Sequence, residues 1–244
     1  MGFDIPVRKA PPVDRQSLAG KQGFMNIRQS IDRNNLDNKC FSKKPVPVNV
    51  PAPVQVQKKQ RNLPSGKVFL KKGQKIPVDS SSTIKIALGW DILDNRCELD
   101  GSAFMLGADG KVLGDEWFIF YGQNVSPDKS LKYNSGGNPD NAVIDIDFRK
   151  INPAVEKIVF SVTIYEAYEK GLNFGMTENV YSRITDGTDN ELFRFQLDEC
   201  YSNVTAMVLG ELYRYKGNWK FNAVGSGVAR DLAGFCAMYG VNLI

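Results

Sequence analysis

The sequence contains no histidine. That absence removes the Ser-His-Asp and Cys-His catalytic units, whose base is an imidazole. It also removes imidazole ligands for zinc, copper and non-haem iron. No side chain is left that titrates near neutral pH unless its surroundings shift it. Cysteine is scarce: Cys40, Cys97, Cys200 and Cys236 are scattered and form no CxxC pair, which argues against a zinc ribbon or a thioredoxin-like site. Long apolar runs are missing too. No stretch approaches the ~20 residues of a membrane helix, and no apolar run follows the first basic residues as a secretory signal requires. These absences predict a cytoplasmic protein without a transmembrane segment, its cysteines serving mostly as small core residues. The remaining site chemistry is that of carboxylates, Lys, Arg, Tyr, Cys and backbone, a set that favours hard cations held by oxygen.

Charge is present but unevenly placed. The 244 residues carry 31 Lys+Arg and 27 Asp+Glu, a net +4. Residues 1–61 hold 12 Lys+Arg against 4 Asp, a net +8, whereas residues 62–244 hold 19 Lys+Arg against 23 Asp+Glu, a net −4. A basic arm thus precedes an acidic body, and such asymmetry is an interaction signal rather than a fold signal. The arm holds 7 of the 12 prolines, and its run PVPVNVPAP (45–53) suits extended polyproline II. Lys43, Lys44, Lys58, Lys59 and Arg61 flank that run. Phe24, Ile27 and Ile31 share a helical spacing, so one short amphipathic helix over 22–33 is the most structure the arm predicts. The arm reads as flexible and suited to a protein or anionic partner. Its few aromatics (Phe3, Phe24 and Phe41) support base stacking poorly, which disfavours nucleic acid.

After residue 67 the texture becomes one of short strands. The runs 67–70, 83–90, 102–106, 117–121, 142–148, 157–165, 179–185, 191–197, 205–215 and 218–224 are rich in Val, Ile, Phe and Tyr and are separated by turn residues. Gly217-Asn218 marks a hairpin turn. Many short strands predict an all-β sandwich, and a body of 183 residues is long enough to bury one core. Val228, Leu232, Phe235, Cys236 and Tyr239 form an apolar stripe, which predicts a helix over Val228–Tyr239 capped by Gly240 and packed on the sandwich.

Carboxylates gather in the connections. Asp91, Asp94, Glu98 and Asp100 lie in the first; Asp109, Asp115 and Glu116 in the second; Asp128 and Asp140 in a third, rich in Gly, Asn and Ser. Calcium takes 6–8 oxygens from such loops, and Glu98 and Asp100, two apart, face the same way in an extended segment. On spacing alone, ordinary turn chemistry explains these residues more simply than a metal does. Two carboxylates can also serve a glycosidase, but nothing marks one as held in an apolar pocket. Trp90, Trp117 and Trp219 sit in apolar runs, so core packing suits them better than sugar stacking. Gly136-Gly137 is not a phosphate loop, because it lacks a GK[ST] ending and opens no helix.

The motifs, taken in order, resemble the tellurium-resistance TerD family. They are LKKGQKI (70–76), LGWD (88–91), ELDGSAFMLGADGKV (98–112), FIFY (118–121), SPD (126–128), KIVFSVTIYEA (157–167), NFG (173–175) and TAMVLGELYRYKGNWKFNAVGSG (205–227). The resemblance spans nearly all of 67–244 and none of 1–61. It implies a non-enzymatic β-sandwich stress protein that binds calcium in acidic loops. Carried over by position, it implies Asp91, Glu98, Asp100 and Asp128 as metal ligands, with Glu98 where the family has Asp; Asp140 joins this expected metal set as the one carboxylate of the loop that follows. This chain also departs from the pattern. Lys129 replaces a Gly, and the long acidic stretch typical of the family is here YNSGGNPDN (133–141), with Asp140 its only carboxylate. The family's IHDA is Ile164-Tyr165-Glu166-Ala167. Fewer anionic ligands mean weaker calcium binding. The expectation is one weakened site, with Asn134, Asn138 and Asn141 as neutral donors, or loss of calcium with the basic arm docking the domain to a partner.

Overall fold

The computed structural model describes residues 68–198 and 201–242. The whole basic arm of residues 1–61, with the predicted helix over 22–33 and Cys40, and also Cys200, lie outside them. Twelve strands form two six-stranded sheets. In chain order they are β1 (Phe69–Leu70), β2 (Lys75–Pro77), β3 (Thr83–Ile92), β4 (Leu99–Leu106), β5 (Phe118–Ile119), β6 (Leu131–Ser135), β7 (Ala142–Asp147), β8 (Lys157–Ile164), β9 (Thr177–Asp186), β10 (Glu191–Gln196), β11 (Ala206–Tyr215) and β12 (Asn218–Val228). One sheet runs β1-β10-β9-β3-β7-β6 and the other β2-β12-β11-β8-β4-β5. All pairings are antiparallel except β1 on β10.

Alternation builds the core. Ile84, Ile86 and Leu88 of β3, Ile144 and Ile146 of β7, and Phe160 and Val162 of β8 all point inward and are buried. Removing apolar surface from water, at roughly 25 cal/mol per Å², is the main force that joins the two faces. Trp90, Trp117 and Trp219 are buried in this core. The second sheet has apolar residues on its outer face as well, and a helix covers them. Phe104, Phe118 and Phe120 stack with centroids 4.4 and 4.7 Å apart, and Phe235 and Cys236 of helix α2 (Leu232–Tyr239) pack on them. A short helix α1 (Ala167–Lys170) follows β8.

Three expectations shift. The final helix starts at Leu232 rather than Val228, because Val228 pairs with Ala206 as the last residue of β12. Asp231 then caps the helix, its side chain accepting from Gly234 N at 2.7 Å. The hairpin turn is Lys216-Gly217, one residue earlier than read. Both residues have positive φ, and Tyr215 pairs with Asn218 across it, as a two-residue turn of the I′ kind requires. The run 117–121 yields only Phe118–Ile119, since Trp117 ends a 3-10 turn begun at Asp115. Strands β2 and β6 escaped the sequence reading because each is short and set among turn residues.

Gly89 fixes one detail that matters for the site. A Cβ there would sit 2.1 Å from the ring of Tyr181, so glycine alone lets that ring lie across β3. Gly89→Ala is expected to lower stability by about 2 kcal/mol through overpacking, measured by urea unfolding. A loss under about 0.5 kcal/mol would show that Tyr181 simply moves aside.

Candidate functional site

The connections that carry the acidic residues fall at both ends of the sandwich. Asp91, Glu98, Asp100 and Asp140 lie at the end where β3 passes into β4. Asp128 lies at the other end, in the turn before β6. The five expected ligands therefore do not converge on one point. Among the described residues, no group of three or more Asp, Glu, Cys or His side chains could hold a metal ion together.

Asp128 is a turn organiser. Its Oδ1 accepts from Ser126 Oγ at 2.6 Å, Ser130 N at 2.9 Å and Ser130 Oγ at 2.7 Å, while Oδ2 accepts from Asn152 N at 2.8 Å. These donors are part of the fold, so its lone pairs are largely spent. Asp140 is an ion-pair partner. Arg183 grips it with two donors, Nε at 2.9 Å and Nη2 at 2.5 Å, and Tyr181 OH donates at 2.8 Å. The pair is mostly buried, with Arg183 and Asp140 side chains 13% and 8% exposed. Burial, then the charge of Asp140, raises the Tyr181 phenol strongly, so it remains a donor. Arg183 Nη1 also lies 3.6 Å from Glu191, and Glu191 holds Arg194 by two bonds at 2.7 and 2.6 Å. The Arg194 guanidinium lies 4.5 Å from the Tyr181 ring centroid. An alternating network thus seals the outer face of β9 and β10.

The loop that carries Asp140 is pinned at its other residues as well. Asn141 Oδ1 accepts from Trp90 N at 3.0 Å where β3 shifts register, and Asn134 donates to Asp145 at 2.9 Å. A Cβ on Gly136 would meet Asp140 and Asn141 backbone at 2.4–2.7 Å. The loop is therefore folded onto the sheet, and Asn134 and Asn141 are committed to the chain itself.

Asp91 accepts from Asn179 Nδ2 at 2.7 Å. Glu98 and Asp100 differ from the rest. Neither has a side-chain hydrogen bond or ion pair among the described residues, and the charge of Glu98 acts on Asp100. Burial, reinforced by the charge of Glu98, raises the Asp100 carboxyl to about 6. The phenols of Tyr121 and Tyr133 lie within reach of its charge and are raised by their own burial first and by Asp100 second, Tyr133 to about 12.

A TerD domain matches residues 67–239. The chain belongs to the TerD family. It is 38% identical to the tellurium resistance protein TerD of Serratia marcescens over 188 residues, which is 72% of this chain and 98% of that one. It is 38% identical over 145 residues, 54% of this chain, to the whole length (99%) of a chemical-damaging agent resistance protein B of Clostridium acetobutylicum. The solved structure of a TerD homologue from Streptomyces coelicolor superposes with a TM-score of 0.52 at 17% identity, covering 67% of this chain and 99% of its own, and so shares the fold. Residues 1–66 lie outside the matched domain.

Two residues that matter here, Arg183 and Glu191, escaped the sequence reading. The alternation in NVYSRIT (179–185) places Tyr181 and Arg183 on one face, but nothing in the sequence names Asp140 as their partner.

Asp100 generates a pH test. It keeps its proton up to about pH 6 in the fold and to about 3.9 in an unfolded chain. Between those values the folded state binds more protons than the unfolded one, so stability falls as pH rises through the window, and the full penalty stands above pH 6. In metal-free buffer at pH 7.5, Asp100→Asn is expected to raise the unfolding free energy by about 1–2 kcal/mol, with the gain vanishing near pH 4. Urea unfolding at both pH values measures this. A loss at pH 7.5 would show that the ionised carboxylate makes a favourable contact.

Proposed function

We propose that this TerD-family chain is a non-catalytic stress-resistance protein, acting against tellurium compounds or chemical damage as its relatives' names describe. Its remaining calcium-binding capacity rests on Glu98 and Asp100. The observation that carries this reading is the contrast among the five carboxylates. Asp128 and Asp140 are spent on the chain's own donors, whereas Asp100 is largely buried, unpartnered and next to a second carboxylate. A divalent cation would relieve that repulsion. Two carboxylates are few for an ion that takes 6–8 oxygens, and ligand charge sets affinity, so binding is weak. The reading places the protein in the cytoplasm, and the free buried thiols of Cys97 and Cys236 suit a reducing compartment. A second reading is favoured by the charge division. In it, calcium binding is lost and the arm of residues 1–61 docks the domain to a protein or anionic partner.

Calorimetric titration of the full chain, stripped with a chelator, separates the two readings. The first expects calcium binding with a dissociation constant of order 10⁻⁴–10⁻³ M, a rise in melting temperature at millimolar calcium, and loss of both in Glu98→Gln/Asp100→Asn. No heat and no stabilisation at 10 mM calcium would remove calcium from the account.

A further inference from the structure

A groove of about 300 Å³ opens beside the start of β9 and the end of β10. Phe174, Val180, Leu197 and Tyr201 form its apolar part, Thr177, Asn179 and Gln196 add polar groups, and its rim carries the exposed carboxylates Glu178 and Asp198. Neither carboxylate has an ion-pair partner among the described residues. Lys72 borders the groove, its Nζ 5.9 Å from the Tyr201 ring centroid.

Chain connectivity brings a matching segment close. Strand β1 runs parallel to β10, with Phe69 level with Arg194 and Leu70 with Phe195, and Val68 O accepts from Arg194 N at 2.9 Å. From Val68 to the groove wall at Leu197 is thus about four residues along the strand, roughly 13 Å. A reversal within 62–66 would return Arg61 to about the level of Val68, so Lys58 and Lys59, a few residues upstream at ~3.3 Å each, are the residues that can come level with the groove. The linking sequence NLPSG (62–66) contains Pro64 and Gly66, residues suited to reversing direction. Immediately before it stand Lys58, Lys59 and Arg61, preceded by the Pro-Val run 45–53.

We propose that this groove seats the chain's own basic arm. In this arrangement the arm turns back at 62–66, sets Lys58 and Lys59 against Glu178 and Asp198, and lays the Pro-Val segment over the apolar part of the groove, as polyproline segments dock on aromatic-lined grooves. A short tether gives the arm an effective concentration near millimolar, so weak contacts suffice. Because the pairing is exposed, salt loosens it. The inference stands apart from the calcium reading, since it uses neither Glu98 nor Asp100.

Zero-length carbodiimide coupling of the full chain at micromolar concentration, followed by peptide mass spectrometry of the monomer band, tests it. The expected result is coupling of Lys58 or Lys59 to Glu178 or Asp198. The yield should fall at least fivefold in Glu178→Gln/Asp198→Asn and in 0.5 M NaCl. The Lys170–Glu166 pair, 3.2 Å apart, serves as the internal control and should couple equally in both proteins at low salt. Three results would overturn the proposal: arm lysines coupled elsewhere with yields the double variant leaves unchanged, coupling confined to a dimer band, or uncoupled arm lysines while the control pair forms.

Discussion

The bidentate pair of Asp140 and Arg183 is the contact on which the acidic end of this molecule depends. A mostly buried carboxylate is costly unless a partner repays its lost hydration, and removing one member of such a pair typically costs 3–5 kcal/mol. Here the partner is a guanidinium from β9, steadied in turn by Glu191 and Arg194. The pair holds the 136–141 loop against the sheet, Gly136 allows the close backbone approach, and Asn141 completes the seam at the irregular stretch of β3. In this loop the Asp140 oxygens are already engaged by Tyr181 and Arg183. Of the five expected ligands, Glu98 and Asp100 are the two with no side-chain hydrogen bond or ion pair among the described residues.

The two ends of the sandwich illustrate the same rule. At Asp128, four donors from Ser126, Ser130 and Asn152 convert a carboxylate into a turn brace. Asp147 behaves similarly: bonds from Arg149 hold its carboxyl well below the usual range. Charge in these loops mainly organises backbone. Asp100 is the exception because burial raises the cost of its charge and the charge that acts on it, that of Glu98, has the same sign.

Much of the fold was legible in the sequence, because period-two alternation and turn residues report directly on a pleated, half-buried sheet. The run TIKIALGW places Ile84, Ile86 and Leu88 on one face, and that face is the core. The stripe of Leu232, Phe235, Cys236 and Tyr239 similarly announces a packed helix, although Val228 satisfies the same spacing while belonging to a strand. What the sequence could not show was pairing across distance. Asp140 and Arg183 are 43 residues apart, as are their roles on paper: one a loop acid, the other a strand cation. The expectation that Asp128 acts as a ligand came from position in a family pattern, and that for Asp140 from its being its loop's only carboxylate; neither reveals which donors the fold has already brought to an oxygen.

The account divides the acidic residues into self-satisfied and uncompensated ones. Side-chain carboxyl carbon resonances followed through a calcium titration of the full chain test that division residue by residue. The account predicts that Glu98 and Asp100 shift together in the millimolar range while Asp128 and Asp140 stay fixed. Shifts of Asp128 and Asp140 alongside Glu98 and Asp100, saturating at micromolar calcium, would contradict it.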